Sequence, residues 1–174
     1  MTTPQELKQY VRDIPDYPQP GIIFRDITPL LVRKELFREV VEMMSKSWKD
    51  RQPDLVAAIE ARGFIPGAAM AVKLNAGFIP IRKTGKLPWK TIGEAYQLEY
   101  GTDQLQIHSD AVEPGQKVLI VDDVLATGGT AAAAVRLIRS LGGEVIGVQV
   151  LIELADLGGR KRLPDVEVIS EIVY

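Results

Sequence analysis

The chain has 174 residues, 46 % of them apolar and 25 % charged, with a formal net charge of −2. That length favours one domain, and the mixture is globular rather than disordered or fibrous. No cysteine and only one histidine, His108, exclude thiol catalysis, iron–sulfur and thiolate zinc sites, and His-clustered metal centres, while the slight acidity offers no general basic field for nucleic acid.

The polar N-terminus carries no apolar core of a signal peptide, and no apolar run approaches the length of a membrane span; a soluble cytoplasmic protein is expected. Thr3-Pro4-Gln5-Glu6 predicts a helix start, with Thr3 as N-cap, Pro4 in the first helical position and Glu6 closing a capping box. Pro15, Pro18, Pro20 and Gly21 cut that helix short, and Gly21 to Pro29 is an apolar-rich stretch within an irregular region. Leu36, Phe37, Val40, Val41, Met43, Met44 and Trp48 recur at helical spacing, predicting an amphipathic helix over Lys34 to Asp50.

An alternation of strands and helices follows. Leu55 to Ile59 is a short buried strand, and after Arg62-Gly63-Phe64 a helix of small residues runs to about Leu74. Gly77 to Ile81 is the next strand. Lys83 to Gly93, charged and without apolar period, is a long loop. Glu94 to Tyr100 and Gln104 to His108 form two strands around a Gly101-Thr102-Asp103 turn. Lys117 to Val121 is a strongly apolar strand, Gly129 to Leu141 a helix, and Glu144 to Ile152 a strand after the Gly142-Gly143 stop. This order implies βαβ units and a mostly parallel twisted sheet flanked by helices, an α/β fold. Ligands of such sheets bind beyond the carboxyl ends of the strands, where Glu60 to Phe64, Arg82 to Lys86 and Asp122 to Thr130 all fall.

The most informative run is Val118 to Thr130. A buried apolar strand ends in two carboxylates, Asp122 and Asp123, and then Ala126, Thr127, Gly128, Gly129 and Thr130 open a helix. Small residues let backbone N–H groups approach an anion, and the helix N-terminus adds positive partial charge. The loop suits a phosphate monoester and the carboxylates suit sugar hydroxyls, so the run reads as a grip on a ribose 5-phosphate. Neither the Walker A pattern nor G-x-G-x-x-G is present.

This run resembles the signature of the type I phosphoribosyltransferases, which use 5-phosphoribosyl 1-diphosphate (PRPP). The resemblance implies a Rossmann-like sheet, Asp122 and Asp123 on the ribose hydroxyls, and Ala126 to Thr130 around the 5-phosphate. Three further segments are similar to the members of that family that use adenine. In Glu60-Ala61-Arg62-Gly63-Phe64, the resemblance places Arg62 on the diphosphate, whose charge a planar guanidinium can neutralise. The stretch Arg82-Lys83-Thr84-Gly85-Lys86-Leu87-Pro88, continuing to Leu98-Glu99-Tyr100-Gly101, is similar to a catalytic lid. By that likeness Lys83 and Lys86 lie near the diphosphate and Glu99 is catalytic; Trp89 stands where something polar or small is expected. Pro20 to Pro29 is similar to a hood over the base. Phe24 would stack on adenine, the backbone of Ile23 and Arg25 would bond its edge, and Val124 would pack from the other side.

Taken over the whole chain, the resemblance implies one domain, 1–174, with a base-binding hood over 1–33 and a lid over 83–103. The implied reaction joins adenine to PRPP, giving AMP and pyrophosphate, with Mg²⁺ carried by PRPP and water rather than by a protein ligand set. A cytoplasmic homodimer without nucleic-acid or membrane partners is the expectation. Two rivals are the same machinery acting on another base and a PRPP-sensing regulator. The first turns on Ile22 to Arg25; the second would need a DNA-binding module, for which no basic region is present. His108 is given no role.

Overall fold

The computed structural model describes residues 3–97 and 102–174. Five helices are present in this description: α1 (Pro4–Lys8), α2 (Thr28–Leu31), α3 (Lys34–Lys46), α4 (Phe64–Leu74) and α5 (Gly129–Ser140). The strands are β1 (Arg12–Pro15), β2 (Ile23–Asp26), β3 (Leu55–Ile59), β4 (Gly77–Lys83), β5 (Thr91–Gln97), β6 (Thr102–His108), β7 (Lys117–Leu125), β8 (Glu144–Glu153) and β9 (Val168–Val173).

Seven strands form one sheet in the order β5-β6-β4-β3-β7-β8-β9, and β1 and β2 form a separate antiparallel ribbon. From β4 to β9 neighbouring strands run parallel, whereas β6 is antiparallel to both β4 and β5. The chain leaves β3 for β4 on one side, while β7 to β9 build outward on the other. The carboxyl ends of β3 and β7 therefore flank the switch point at which open α/β sheets bind ligands.

Both sheet faces are covered by apolar packing. Val118 and Ile120 join Ile81, Leu105, Ile107 and the α5 residues Ala133, Leu137 and Ile138 in one cluster. Leu119 and Val121 join Val40, Met44 and Trp48 of the α3 side and Met70 of α4 in the other, which also holds Leu7, Ile27 and Leu30. The N-terminal ribbon and α2 thus lie on the α3/α4 side. No described helix is long and apolar enough to cross a membrane.

Local rules account for much of this. The Thr3 hydroxyl accepts from the Glu6 N–H at 3.3 Å and the Thr3 N–H donates to Glu6 at 2.7 Å, completing the expected capping box. Helix α3 ends at Lys46, before the expected Asp50, and a 3-10 turn at Lys49–Arg51 follows. Tertiary packing sets that end: Trp48 is fully buried, its Nε1 donates to Gln149 at 2.7 Å, and its ring lies over Gly147, where a Cβ would stand 2.2 Å from the indole.

Three sequence expectations change. The long loop shrinks because β4 continues through Lys83 and β5 begins at Thr91. Arg82 and Lys83 pair with Gln106 and Leu105 in an antiparallel ladder, whose backbone bonds require no apolar period. The stretch around Phe24 is not wholly irregular, since β2 pairs with β1 from Pro15↔Ile23 to Arg12↔Asp26. Finally, β7 does not end at Val121. Its pairing with β3 stops there, but Asp122 to Leu125 continue alongside Val150 to Glu153 of β8.

A candidate phosphoribosyl site at the sheet switch point

The divergence of β3 from β7 puts Asp122 and Asp123 on a stretch of strand that β8 alone supports. The space left by β3 is taken by the turn from Glu60 to Gly63, whose Glu60–Ala61 peptide is cis. Gly63 is required there: a Cβ would meet Ile59 O at 2.5 Å and Asp122 Oδ1 at 2.8 Å. Two expected site segments, far apart in sequence, are therefore in van der Waals contact.

The two carboxylates differ in surroundings. Asp122 accepts from the Asp123 N–H at 2.9 Å. Part of its surface is still accessible, but protein encloses the carboxyl; burial first, and then the Asp123 charge, push it well above the usual carboxylate range. Asp123 is buried, and its Oδ2 stands 2.8 Å from Arg62 Nε as an ion pair without hydrogen-bond alignment.

Beyond Leu125 the chain turns through Ala126 and Thr127 into Gly128, which has φ +81° and serves as the N-cap of α5. No side chain caps that helix. Its leading backbone N–H groups and positive end are of the kind that can receive an anion.

Arg62 is the hub of the site. Besides Asp123, it donates from Nη1 to the Arg25 carbonyl at 3.3 Å, and its guanidinium lies 4.3 Å from the Phe24 ring centroid. The β2 segment around Phe24 and the strand-end carboxylates are thereby brought together through one cation. In this conformation Arg62 faces that segment, whereas its expected partner was a diphosphate. Phe24 is half-buried and meets Tyr17 edge to face at 5.2 Å, while Ile23 is 48 % exposed. Arg25 pairs with Asp13 and stacks 3.8 Å over the Tyr174 ring. Val124 packs at the margin of the α3/α4-side cluster.

The residues of the expected lid segment are held differently from one another. Lys83 Nζ lies 3.0 Å from Asp103, which keeps the lysine charged above its usual range. The Tyr96 hydroxyl donates to Asp103 at 3.3 Å and also reaches the Thr130 side chain, linking the β5–β6 hairpin to the glycine-rich loop. Lys86 is exposed, and its ammonium has no ion-pair partner among the described residues. Trp89 is 63 % exposed. Glu99 lies outside the described residues. Sequence reasoning also passed over Arg82, whose Nε donates to Glu60 at 2.8 Å and whose Nη1 donates to the Lys86 carbonyl at 3.0 Å. A cation directly after an apolar strand was the available signal. His108 closes β6 opposite Thr91, with its Nε2 buried and unbonded.

A helix-opening turn without a side-chain cap, two strand-end carboxylates and an arginine paired to one of them thus meet at the sheet switch point of an α/β fold. The family model for the phosphoribosyl transferase domain matches residues 28–173, and the chain belongs to that family. Its relatives include adenine phosphoribosyltransferases from Thermotoga maritima, 62 % identical over 97 % of this chain and 98 % of the relative, and Thermobifida fusca, 57 % identical over 92 % of each. Among solved structures, the adenine phosphoribosyltransferase of Thermoanaerobacter pseudethanolicus superposes with a TM-score of 0.97 at 51 % identity, covering 99 % of this chain and 100 % of that one. The Saccharomyces cerevisiae enzyme, complexed with an imino-altritol bisphosphate and adenine, gives 0.91 at 35 % identity over 97 % and 98 %.

Proposed function

We propose that this protein transfers the 5-phosphoribosyl group of PRPP to adenine, forming AMP and releasing pyrophosphate. The observation that carries this reading is the meeting of the Phe24 hood, Arg62 and the Asp122–Thr130 run at one switch point. The adenine phosphoribosyltransferase relatives support the same reading over nearly the whole chain.

In this scheme the N–H groups from Ala126 to Thr130 receive the 5-phosphate, with the Thr127 and Thr130 hydroxyls as further donors. Asp122 and Asp123 accept from the ribose hydroxyls. The bond from the anomeric carbon to diphosphate oxygen breaks as a bond to an adenine ring nitrogen forms. The sugar becomes oxocarbenium-like between the two, as in glycoside hydrolysis. Arg62, Lys83 and Lys86 balance the charge gathering on the departing diphosphate. For Arg62 and Lys83 this means exchanging Asp123 and Asp103 for phosphate oxygens. Adenine stacks on Phe24, reads the backbone of Ile23 and Arg25, and packs against Val124. The ring proton goes to a base, for which we assign Glu99.

Mg²⁺ fits this site as part of the PRPP complex. No cluster of three His, Asp or Glu residues able to cage a metal occurs among the described residues. Hard oxygen donors are nevertheless present in Asp122 and Asp123, although Asp123 Oδ2 is ion-paired to Arg62 without an aligned hydrogen bond. When bound, the ion would offset diphosphate charge. Residues 1–33 serve as the hood and 83–103 as the lid of one catalytic domain, in the cytoplasm, where phosphorylated substrates are retained.

We also assign a homodimer, since Ile65, Ala68 and Val72 present one exposed apolar face of α4, with Val72 85 % exposed. Light scattering should give twice the chain mass, and Val72→Asp should shift it toward one. The catalytic reading is tested by AMP formation from adenine, PRPP and Mg²⁺ beside hypoxanthine, guanine, xanthine and uracil. Turnover of adenine alone is expected. Preference for another base would overturn the hood assignment, and PRPP binding without any turnover would favour a sensor.

A further inference from the structure

The glycine-rich loop has almost nothing of its own to hold its shape. Ala126, Gly128 and Gly129 have at most a methyl group, and glycine is the residue with most conformational freedom to lose. Its stiffness must come from behind.

The segment behind it is the turn after β8. Gly128 and Gly159 are packed back to back: a Cβ on Gly128 would stand 2.3 Å from Gly159 O, and one on Gly159 would stand 2.3 Å from Ala126 O and 3.1 Å from Gly128 N. Neither position admits a side chain without displacing loop backbone. Gly159 opens a 3-10 turn through Arg162, and that turn is fastened by Arg160. Arg160 Nε and Nη2 donate to the two oxygens of Glu153 at 2.7 Å each, Nη1 donates to Val168 O at 2.6 Å, and Nη2 also reaches Ser170 Oγ at 3.0 Å. The Ser170 hydroxyl donates to Glu153 at 2.6 Å. Glu153 is 6 % exposed and in register with Leu125, the last strand residue before the loop, whose carbonyl accepts from Leu154 N at 2.9 Å. The network therefore fixes both the point where the loop leaves the sheet and the surface against which it lies.

We propose that Glu153 and Arg160 are positioning residues for the phosphate site, clamping Gly159 against the back of the 126–130 loop so that its N–H donors converge before the 5-phosphate arrives. The pair touches no reacting atom. Its contribution is preorganisation, which lowers the ordering cost of binding. The proposal rests on the phosphate-binding role of the loop given above.

The test compares wild type with Gly159→Ala, Arg160→Lys and Glu153→Gln. Folding is followed by circular dichroism, ribose 5-phosphate affinity by calorimetry, and KM and kcat for both substrates by AMP formation. A misplacement of about 1 Å can cost on the order of a hundredfold. The Kd for ribose 5-phosphate and the KM for PRPP should rise about ten- to a hundredfold, with the KM for adenine and kcat at saturating PRPP within about twofold. A purely architectural role would lower melting temperature and active fraction but leave ribose 5-phosphate affinity of the folded protein unchanged; that result overturns the proposal. If Gly159→Ala does not fold, Arg160→Lys decides, because it keeps the charge and removes the bidentate fork. Wild type that binds ribose 5-phosphate but makes no AMP would remove the transferase reading and leave the affinity comparison decisive for the clamp. Wild type that does not bind ribose 5-phosphate would overturn the clamp with the phosphate seat.

Discussion

Asp122 and Asp123 are chain neighbours with opposite electrostatic situations, and this separates what each substitution should do. Asp123 is ion-paired to Arg62 at 2.8 Å, and in the proposed reaction it faces the positive charge developing on the ribose. Asp123→Asn should lower kcat by about 10²–10³, the usual loss for one preorganised electrostatic group, with little change in melting temperature. Asp122 is held above the usual range by burial and by its neighbour's charge. The folded protein therefore resists a charge that the unfolded chain accepts. That penalty begins as pH rises past the ordinary carboxyl value and is complete only above the raised one. Asp122→Asn removes it. Relative to wild type, the variant's melting temperature should climb as pH rises above about 4, even as turnover falls. Parallel melts across that range check the sign; a constant difference would show that Asp122 imposes no such strain.

At the scale of elements, Trp48 and Gly147 make the clearest case. The indole occupies the volume that a Cβ at 147 would need, 2.2 Å from its ring, and neither residue belongs to the Asp122–Thr130 run. Gly147→Ala should cost about 1–3 kcal/mol by overpacking. For a chain of this size that lowers the melting temperature by about 2–4 °C per kcal/mol, and kinetics on the surviving fold should be near normal. A thermal melt beside an AMP assay separates the two. The same pair shows where sequence reasoning stops. Apolar period made α3, β3, β4 and β7 legible, and small residues after a carboxylate pair made the turn into α5 legible, because these signals are local. The end of α3 was set by a hydrogen bond to Gln149, a hundred residues away. The extension of β7 to Leu125 depends on β8, and β9 offered only a short run with no following helix to bracket it. The Gly159–Arg160 clamp was equally hidden: Gly158-Gly159 signals a turn, but its contact with Gly128 is purely tertiary.

For the whole molecule, the junctions between periphery and sheet share one chemistry, a partly or fully buried carboxylate held by donors. Burial pushes the Asp26 carboxyl up, but the Thr28 N–H and hydroxyl, with Arg12 and Arg62 nearby, bring it below its usual range while it ties the β1–β2 ribbon to α2. Asp103 is also opposed by burial and is drawn down by Lys83 at the hairpin. Glu153 is lowered by the hydrogen bonds of Arg160, and with it holds the turn behind the phosphate loop. For a carboxyl with a depressed folded value, stability is present above the unfolded value, near 4, and is lost as pH falls through the folded one. Asp122 runs the other way, because its protonation at low pH relieves its own burial cost. The two apolar clusters that pack the sheet faces include none of the three lowered carboxylates; Asp103 and Glu153 sit at the ends of β6 and β8, outside that packing. Acid should therefore loosen the hood, the hairpin and the phosphate-loop clamp before it melts the sheet. On titration below about pH 4, ribose 5-phosphate affinity should fall while far-ultraviolet dichroism still reports a native strand and helix content, and both should recover on neutralisation. Coincident loss of binding and dichroism would mean that these junctions are no weaker to acid than the core they surround.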